Sequence, residues 1–184
     1  MRRFNAERTA STPDELWVLE HPPVYTAGIA ARPGHFPRTS RTPLVRADRG
    51  GQVTYHGPGQ AIVYTLVELQ RRGLTVRGMV TLIEQAVIDV LAERGVMAAR
   101  KAGAPGVYVD GAKIAALGLR VRGGSCYHGV ALNVDMDLAP FADIDPCGYP
   151  GLDVTQTSAH GVAGDAQKIG QALASRIAEL LDPR

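Results

Sequence analysis

No run of this chain approaches the roughly 20 consecutive apolar residues that a helix needs to cross a bilayer, and no secretory leader opens it. Cysteine is scarce. Cys126 and Cys147 lack C-x-x-C spacing, which argues against both a disulfide framework and a zinc site. The five histidines, His21, His35, His56, His128 and His160, form no H-x-x-x-H or H-E-x-x-H pattern, so no metal is expected. The glycine-rich stretch carries neither G-x-G-x-x-G nor G-x-x-x-x-G-K-[ST], so nothing points to a dinucleotide or Walker-type phosphate site. Aromatics make up only 5% and the net charge is only +2, with the basic residues scattered in short pairs, so nucleic-acid binding is not expected. A reducing, cytoplasmic protein without metal, cofactor or membrane contact follows.

What is present is ordinary globular material: 184 residues, 45% hydrophobic and 21% charged. That length fits one domain over residues 1–184, burying roughly 70% of its unfolded surface, with a monomer expected. Glu15–Glu20 reads as a strand that stops at His21-Pro22-Pro23 and resumes over Val24–Thr26. Ala30–Thr42 reads as a mobile surface loop, followed by strands at Pro43–Ala47 and Ala61–Leu69. Three-and-four spacing of Met79, Val80, Ile83, Ala86, Val87, Val90 and Leu91 predicts a helix over Val76–Arg94, with Gly95 as its C-terminal cap.

Val96–Arg100 is a further strand. Gly106–Val109, Asp110-Gly111 and Lys113–Val121 form a hairpin with a two-residue turn. Ser125–Val134 is the next strand, and a short helical turn is expected within Asp135–Ile144. Asp145–Gly151 must be irregular, and an amphipathic helix over about Asp165–Leu181 buries Ile169, Leu173, Ile177 and Leu180. The order predicts an α+β domain with a mixed or mostly antiparallel sheet flanked by helices.

The chain is organised around Arg49–Gln60, with four glycines and the polar side chains of Arg49, Gln52, Thr54, Tyr55 and His56 between two strands. A mere connector needs only about two to five residues. Glycine lets backbone approach another group closely. The stretch therefore reads as a wall that cradles a substrate.

Cys147 is the leading nucleophile candidate, because it sits in a Pro/Gly-bounded loop, whereas Cys126 in its strand reads as a small buried hydrophobe. A thiol with a free pKa of about 8.5 needs help to ionise near neutral pH. Lys113, His56 and His128 are the possible helpers. A lysine opening a strand is ordinarily a solvated strand end, and a lone histidine before glycine is ordinarily a loop-holding donor.

These residues resemble the lipoyl(octanoyl) transferases, over nearly the whole chain. Glu20-His21-Pro22-Pro23-Val24-Tyr25-Thr26-Ala27-Gly28 looks like the family's early motif. Arg49–Gln60 matches R-G-G-x-V-T-Y-H-G-P-G-Q, and Gly103–Gly118 matches P-G-V-[YW]-V…K-I-A-A-[IL]-G. His128–Val134 matches H-G-[LV]-A-L-N-V, and Ile144–Gly148 matches I-x-P-C-G. Two departures stand out. The strand and most of the helix expected upstream of Met1 are absent, and the usual V-T-S is stretched to Val154-Thr155-Gln156-Thr157-Ser158.

The resemblance implies the fold of biotin and lipoate protein ligase catalytic domains. It implies Cys147 as acyl-thioester nucleophile and Lys113 as the group that lowers its pKa and shuttles a proton. The segments Arg49-Gly50-Gly51-Gln52-Val53-Thr54-Tyr55-His56, Ala116-Leu117-Gly118 and Gly129-Val130-Ala131 correspond to its substrate-binding residues. The implied partners are octanoyl-acyl carrier protein as donor, and lipoyl domains of 2-oxoacid dehydrogenases and the glycine cleavage H protein as acceptors. No cofactor is implied. Rival readings are an ATP-dependent ligase, a non-catalytic acyl-binding module, and a hydrolase with His56 or His128 as base.

Overall fold

The computed structural model describes residues 1–37, 39–145 and 151–182. Helix α1 (Arg2–Ala6) leads into β1 (Glu15–Leu19), β2 (Val24–Ala27), β3 (Leu44–Arg46), β4 (Val53–His56) and β5 (Gln60–Glu68). Helix α2 (Val76–Ala92) follows, then β6 (Ala99–Arg100), β7 (Val107–Val109), β8 (Ala112–Arg122), β9 (Ser125–Asn133) and α3 (Ala166–Leu181).

The strands form two sheets rather than one. Six lie in the antiparallel order β1-β5-β9-β8-β7-β6, and three in the order β3-β2-β4, where β2 and β3 are parallel. The small sheet escapes a sequence reading because β4 forms inside the glycine-rich stretch, its four residues flanked by glycines on both sides. The fold class stands as an α+β domain with mixed and antiparallel pairing.

Helices α2 and α3 cover one face of the large sheet. Ile83, Val87 and Leu91 of α2 and Leu173 and Ile177 of α3 meet Val63, Val67, Cys126 and Leu132 in a fully buried cluster. Thr75 caps α2 by accepting from the Gly78 N–H at 3.0 Å. Its other end closes with the Val96 N–H on the Leu91 carbonyl at 3.0 Å and Gly95 at φ 78°, as its position implied. The apolar stripe differs at one place. Glu84 is buried in α2 while Val80 is only half-buried. At the last helix Leu180 is likewise only half-buried.

Asp110 (φ 49°) and Gly111 (φ 86°) make the expected tight turn between β7 and β8. The stretch Ala30–Thr42 holds one 3-10 turn, Pro33–His35, and is tied down. His35 contacts Asp145 at 3.1 Å, and the Thr39 and Ser40 N–H groups donate to Asp143 at 3.1 and 2.9 Å. A second cluster, Tyr25, Val53, Tyr55, Met136, Phe141 and Ile144, backs the small sheet. Asp14 joins the N-terminal segment to β5, accepting from Arg8, Arg71 and Arg72 within 2.6–2.9 Å.

Candidate active site

Between the uncovered face of the large sheet and the small sheet lies a cavity of about 680 Å³. Strand alternation sets its walls. From β2 and β4 it takes Val24, Thr26, Thr54 and His56, with Val53 shared between the cavity and the second core, while Tyr25 and Tyr55 turn away into that core. From β5 it takes Ile62 and Tyr64, while Ala61 and Val63 face the helices.

Arg49, Gly51, Gln52, Val53, Thr54, His56, Ala116, Leu117, Gly118, Gly129, Val130 and Ala131 all line this cavity. Gly50 and Tyr55 do not. Gly50 donates its N–H to the Leu119 carbonyl at 2.9 Å, and Tyr55 packs on Tyr25 and Phe141. The stretch is thus a wall interrupted at Gly50 and Tyr55, not a continuous one. Gly118 lets the Arg49 turn approach β8 closely, since a Cβ there would come within 3.0 Å of the Gly50 carbonyl and 3.2 Å of Arg49 Cδ.

Arg49 is held in place by its guanidinium. Nε and Nη2 donate to Thr26 Oγ1 at 3.1 and 2.8 Å, Nη2 donates to the Thr26 carbonyl at 2.6 Å, and Nη1 donates to the Gly50 carbonyl at 2.9 Å. Its neighbour Asp48 forms a second anchor. Tyr127 donates to Oδ2 at 2.6 Å, His128 Nε2 lies 2.9 Å from Oδ1, and Arg2 reaches Oδ1 at 3.0 Å. Burial opposes ionisation of Asp48, but the Tyr127 and His128 hydrogen bonds and the Arg2 charge hold its carboxyl well below the usual carboxylate range.

Consecutive strand residues ordinarily point to opposite faces. Tyr127 and His128 instead stack at 5.2 Å, because His128 adopts φ 64° and both rings reach the same carboxylate.

The cavity also receives polar groups that motif reasoning left unassigned. His21 and Tyr64 share a 2.6 Å hydrogen bond, and His21 stands edge-on to His56 at 5.7 Å. Alternation along β5 was the available signal for Tyr64. His56 Nδ1 lies 2.7 Å from Gln60 Oε1 and Nε2 lies 3.3 Å from Thr26 Oγ1. Burial pushes the His56 imidazole down to about 4, and lowers His21 and His128 too. Lowering of this kind favours the neutral imidazoles, each of which has a hydrogen-bond partner at hand. Gln52 Oε1 is buried at the cavity with no hydrogen-bond partner among the described residues.

Lys113 is not a solvated strand end. It is 4% exposed, its Nζ donates to the Pro105 carbonyl at 3.1 Å, and it stands 5.2 Å from the Tyr108 ring centre. It lies three residues before the cavity residue Ala116 on β8. Its backbone is paired on both sides: the Lys113 N–H donates to the Asp153 carbonyl at 2.8 Å, and the Thr155 N–H donates to the Lys113 carbonyl at 3.0 Å. Cys147 lies outside the described residues. Cys126 is fully buried under α2, donates to the Thr65 carbonyl at 3.3 Å, and has its thiol pKa pushed up by burial, as an inert core residue should. Among the described residues no group of three or more His, Cys, Asp or Glu could hold a metal, and no helix is long and apolar enough to cross a membrane.

Residues 2–178 match the family described as the lipoyl protein ligase A/B catalytic domain. The octanoyltransferase of Aromatoleum aromaticum is 61% identical over 183 residues, covering 100% of this chain and 79% of that protein. The octanoyltransferase of Dechloromonas aromatica is 58% identical over 184 residues, covering 100% of this chain and 90% of its own length. Among solved structures, a bipartite lipoate protein ligase of Thermoplasma acidophilum superposes with a TM-score of 0.76 at 15% identity, covering 98% of this chain and 76% of that one. The biotin protein ligase of Aquifex aeolicus, with biotin and ATP, gives 0.59 at 16% identity over 85% and 69%. These two likenesses speak to the fold, and the near relatives to the family. The chain belongs to the lipoyl protein ligase A/B catalytic-domain family and, within it, to the octanoyltransferases.

Proposed function

We propose that this chain, as one catalytic domain, moves an octanoyl group from octanoyl-acyl carrier protein to the acceptor lysine of lipoyl domains. Those acceptors are the lipoyl domains of 2-oxoacid dehydrogenases and the glycine cleavage H protein. The transfer runs through a thioester on Cys147. The observation that carries this reading is the burial of Lys113, an ammonium kept out of water on the strand that supplies Ala116–Gly118 to the cavity. The residues bonded to its backbone, Asp153 and Thr155, follow Cys147 by six and eight positions.

In the first half-reaction the Cys147 thiolate attacks the thioester carbonyl, and the carrier thiol leaves with a proton from Lys113. In the second, the acceptor amine attacks the enzyme thioester. Its proton returns to Lys113, and the Cys147 thiolate is regenerated. Exchange between thioesters is nearly balanced, and thioester to amide is downhill, so neither half requires ATP. The small side chains of Ala116, Gly118 and Ala131 leave the cavity room for an alkyl chain. At about 0.8 kcal/mol per buried CH₂, six methylenes contribute roughly 5 kcal/mol, enough to favour a medium chain over acetyl.

The test is intact mass after mixing with octanoyl-carrier protein. One octanoyl group is expected on the wild type and none on Cys147→Ala, and added lipoyl domain should take the group up. A Cys147→Ala enzyme transferring at the wild-type rate ends this mechanism.

A further inference from the structure

A buried ammonium needs partners that replace its water. Lys113 obtains two from one short turn. The Pro105 carbonyl accepts from Nζ at 3.1 Å, and the Tyr108 ring centre stands 5.2 Å away, within the range over which a ring face attracts a cation. Tyr108 and Lys113 are direct cross-strand partners of β7 and β8, next to a register shift between Val107 and Tyr108.

The turn itself is pinned at both ends. The Tyr108 hydroxyl donates to the Ala104 carbonyl at 3.0 Å, and the Gly106 N–H donates to Glu84 Oε1 at 2.9 Å. Glu84 is buried in α2, and its other oxygen accepts from Arg100 at 3.2 Å. Gly106 has φ 136°, and a Cβ on it would come within 3.2 Å of Lys113 Nζ and 2.8 Å of the Ala115 carbonyl. A side chain there would clash with the Ala115 carbonyl and crowd the end of Lys113.

We propose that Tyr108 is a positioning residue for Lys113: its ring carries the ammonium while its hydroxyl holds the turn whose carbonyl orients the same ammonium. This rests on the reading that Lys113 moves the proton in acyl transfer. The chemistry suits that task. An amide carbonyl and an aromatic face attract the cation, but neither is a base able to take its proton. Glu84, which could take it, is kept one step away, on the Gly106 N–H. These two contacts hold Lys113 without themselves taking its proton.

The chain has only three lysines, Lys101, Lys113 and Lys168, so lysine-labelled protein gives three resolvable ε-methylene signals by NMR. The Lys113 signal, assigned by its disappearance in Lys113→Ala, is expected to be shifted by the ring current in the wild type. Lys101, 5.8 Å from the same ring but exposed, should show a weaker shift. Tyr108→Phe should keep the Lys113 shift and hold kcat within about threefold. Tyr108→Leu should abolish the shift and lower kcat by about 3- to 30-fold with KM for octanoyl-carrier protein unchanged.

Ring-fluorinated phenylalanine at 108, which keeps the shape and weakens the negative face, should lower kcat as leucine does, and stands in if Tyr108→Leu fails to fold. A Lys113 signal at its ordinary position in the wild type overturns the proposal. So does a fluorinated ring at 108 that leaves kcat equal to that of Tyr108→Phe. If the shift is present but Lys113→Ala turns over at the wild-type rate, the pairing is real and it is the proton-transfer reading that fails.

Discussion

The two faces of the large sheet are built to different ends. On the helix side Val63, Val67, Cys126 and Leu132 meet α2 and α3 with almost no exposed surface, and Cys126 is an inert part of the packing. On the cavity side the same sheet presents Ile62, Tyr64, Gly118 and His128, and borders about 680 Å³ of space. That side also carries a histidine at positive φ and three imidazoles whose charged forms burial disfavours. One face is stabilised by filling space. The other keeps space open and depends on hydrogen bonds to hold its walls.

The contrast can be broken at single residues. Leu173→Ala, fully buried on the helix side, should cost about 2–5 kcal/mol in denaturant unfolding while leaving kcat per folded molecule unchanged. A comparable loss of kcat in the folded fraction would show that the two faces are not separable. On the cavity side, Asp48→Ala removes the acceptor for Tyr127, His128 and Arg2 beside the Arg49 turn. It should cost about 1–3 kcal/mol and, unlike Leu173→Ala, raise KM for octanoyl-carrier protein as the Arg49–Gly51 wall loosens. An unchanged KM would make Asp48 a purely structural latch.

Most of the helix side was legible in the sequence because periodicity reports burial against a flat surface. The stripe through Ile83, Val87 and Leu91, the Asp110-Gly111 turn and the Gly95 cap are local signals, and they appear where expected. The second sheet was not legible, since β4 pairs with β2 across intervening residues that carry no periodic pattern. At the site, motif spacing located the wall, but alternation removed Tyr55 from it and brought in Tyr64 and Ile62. The burial of Lys113 had no local signal either. It follows from a strand-to-strand pairing with Tyr108 and from Asp153 and Thr155 bonding to its backbone. Glu84 stands outside the apolar spacing of its helix and is buried because it reaches Gly106 and Arg100.

The third effect separates the faces by pH. In the unfolded chain histidine titrates near 6.5, whereas burial holds His56 down to about 4 and also lowers His21 and His128. Between those values the unfolded state binds more protons than the folded one. Stability is therefore fully present above about pH 6.5 and is lost as pH falls toward 4, by at most about 1.4 kcal/mol per pH unit for each histidine. His56→Gln, which removes one of these groups, should flatten the fall in unfolding free energy between pH 7 and 5. Leu173→Ala should lower the whole curve without changing its slope, because the helix side has no histidine in its cluster. A His56→Gln curve parallel to the wild type would place the acid sensitivity elsewhere, and the cavity side would then differ from the helix side in shape alone.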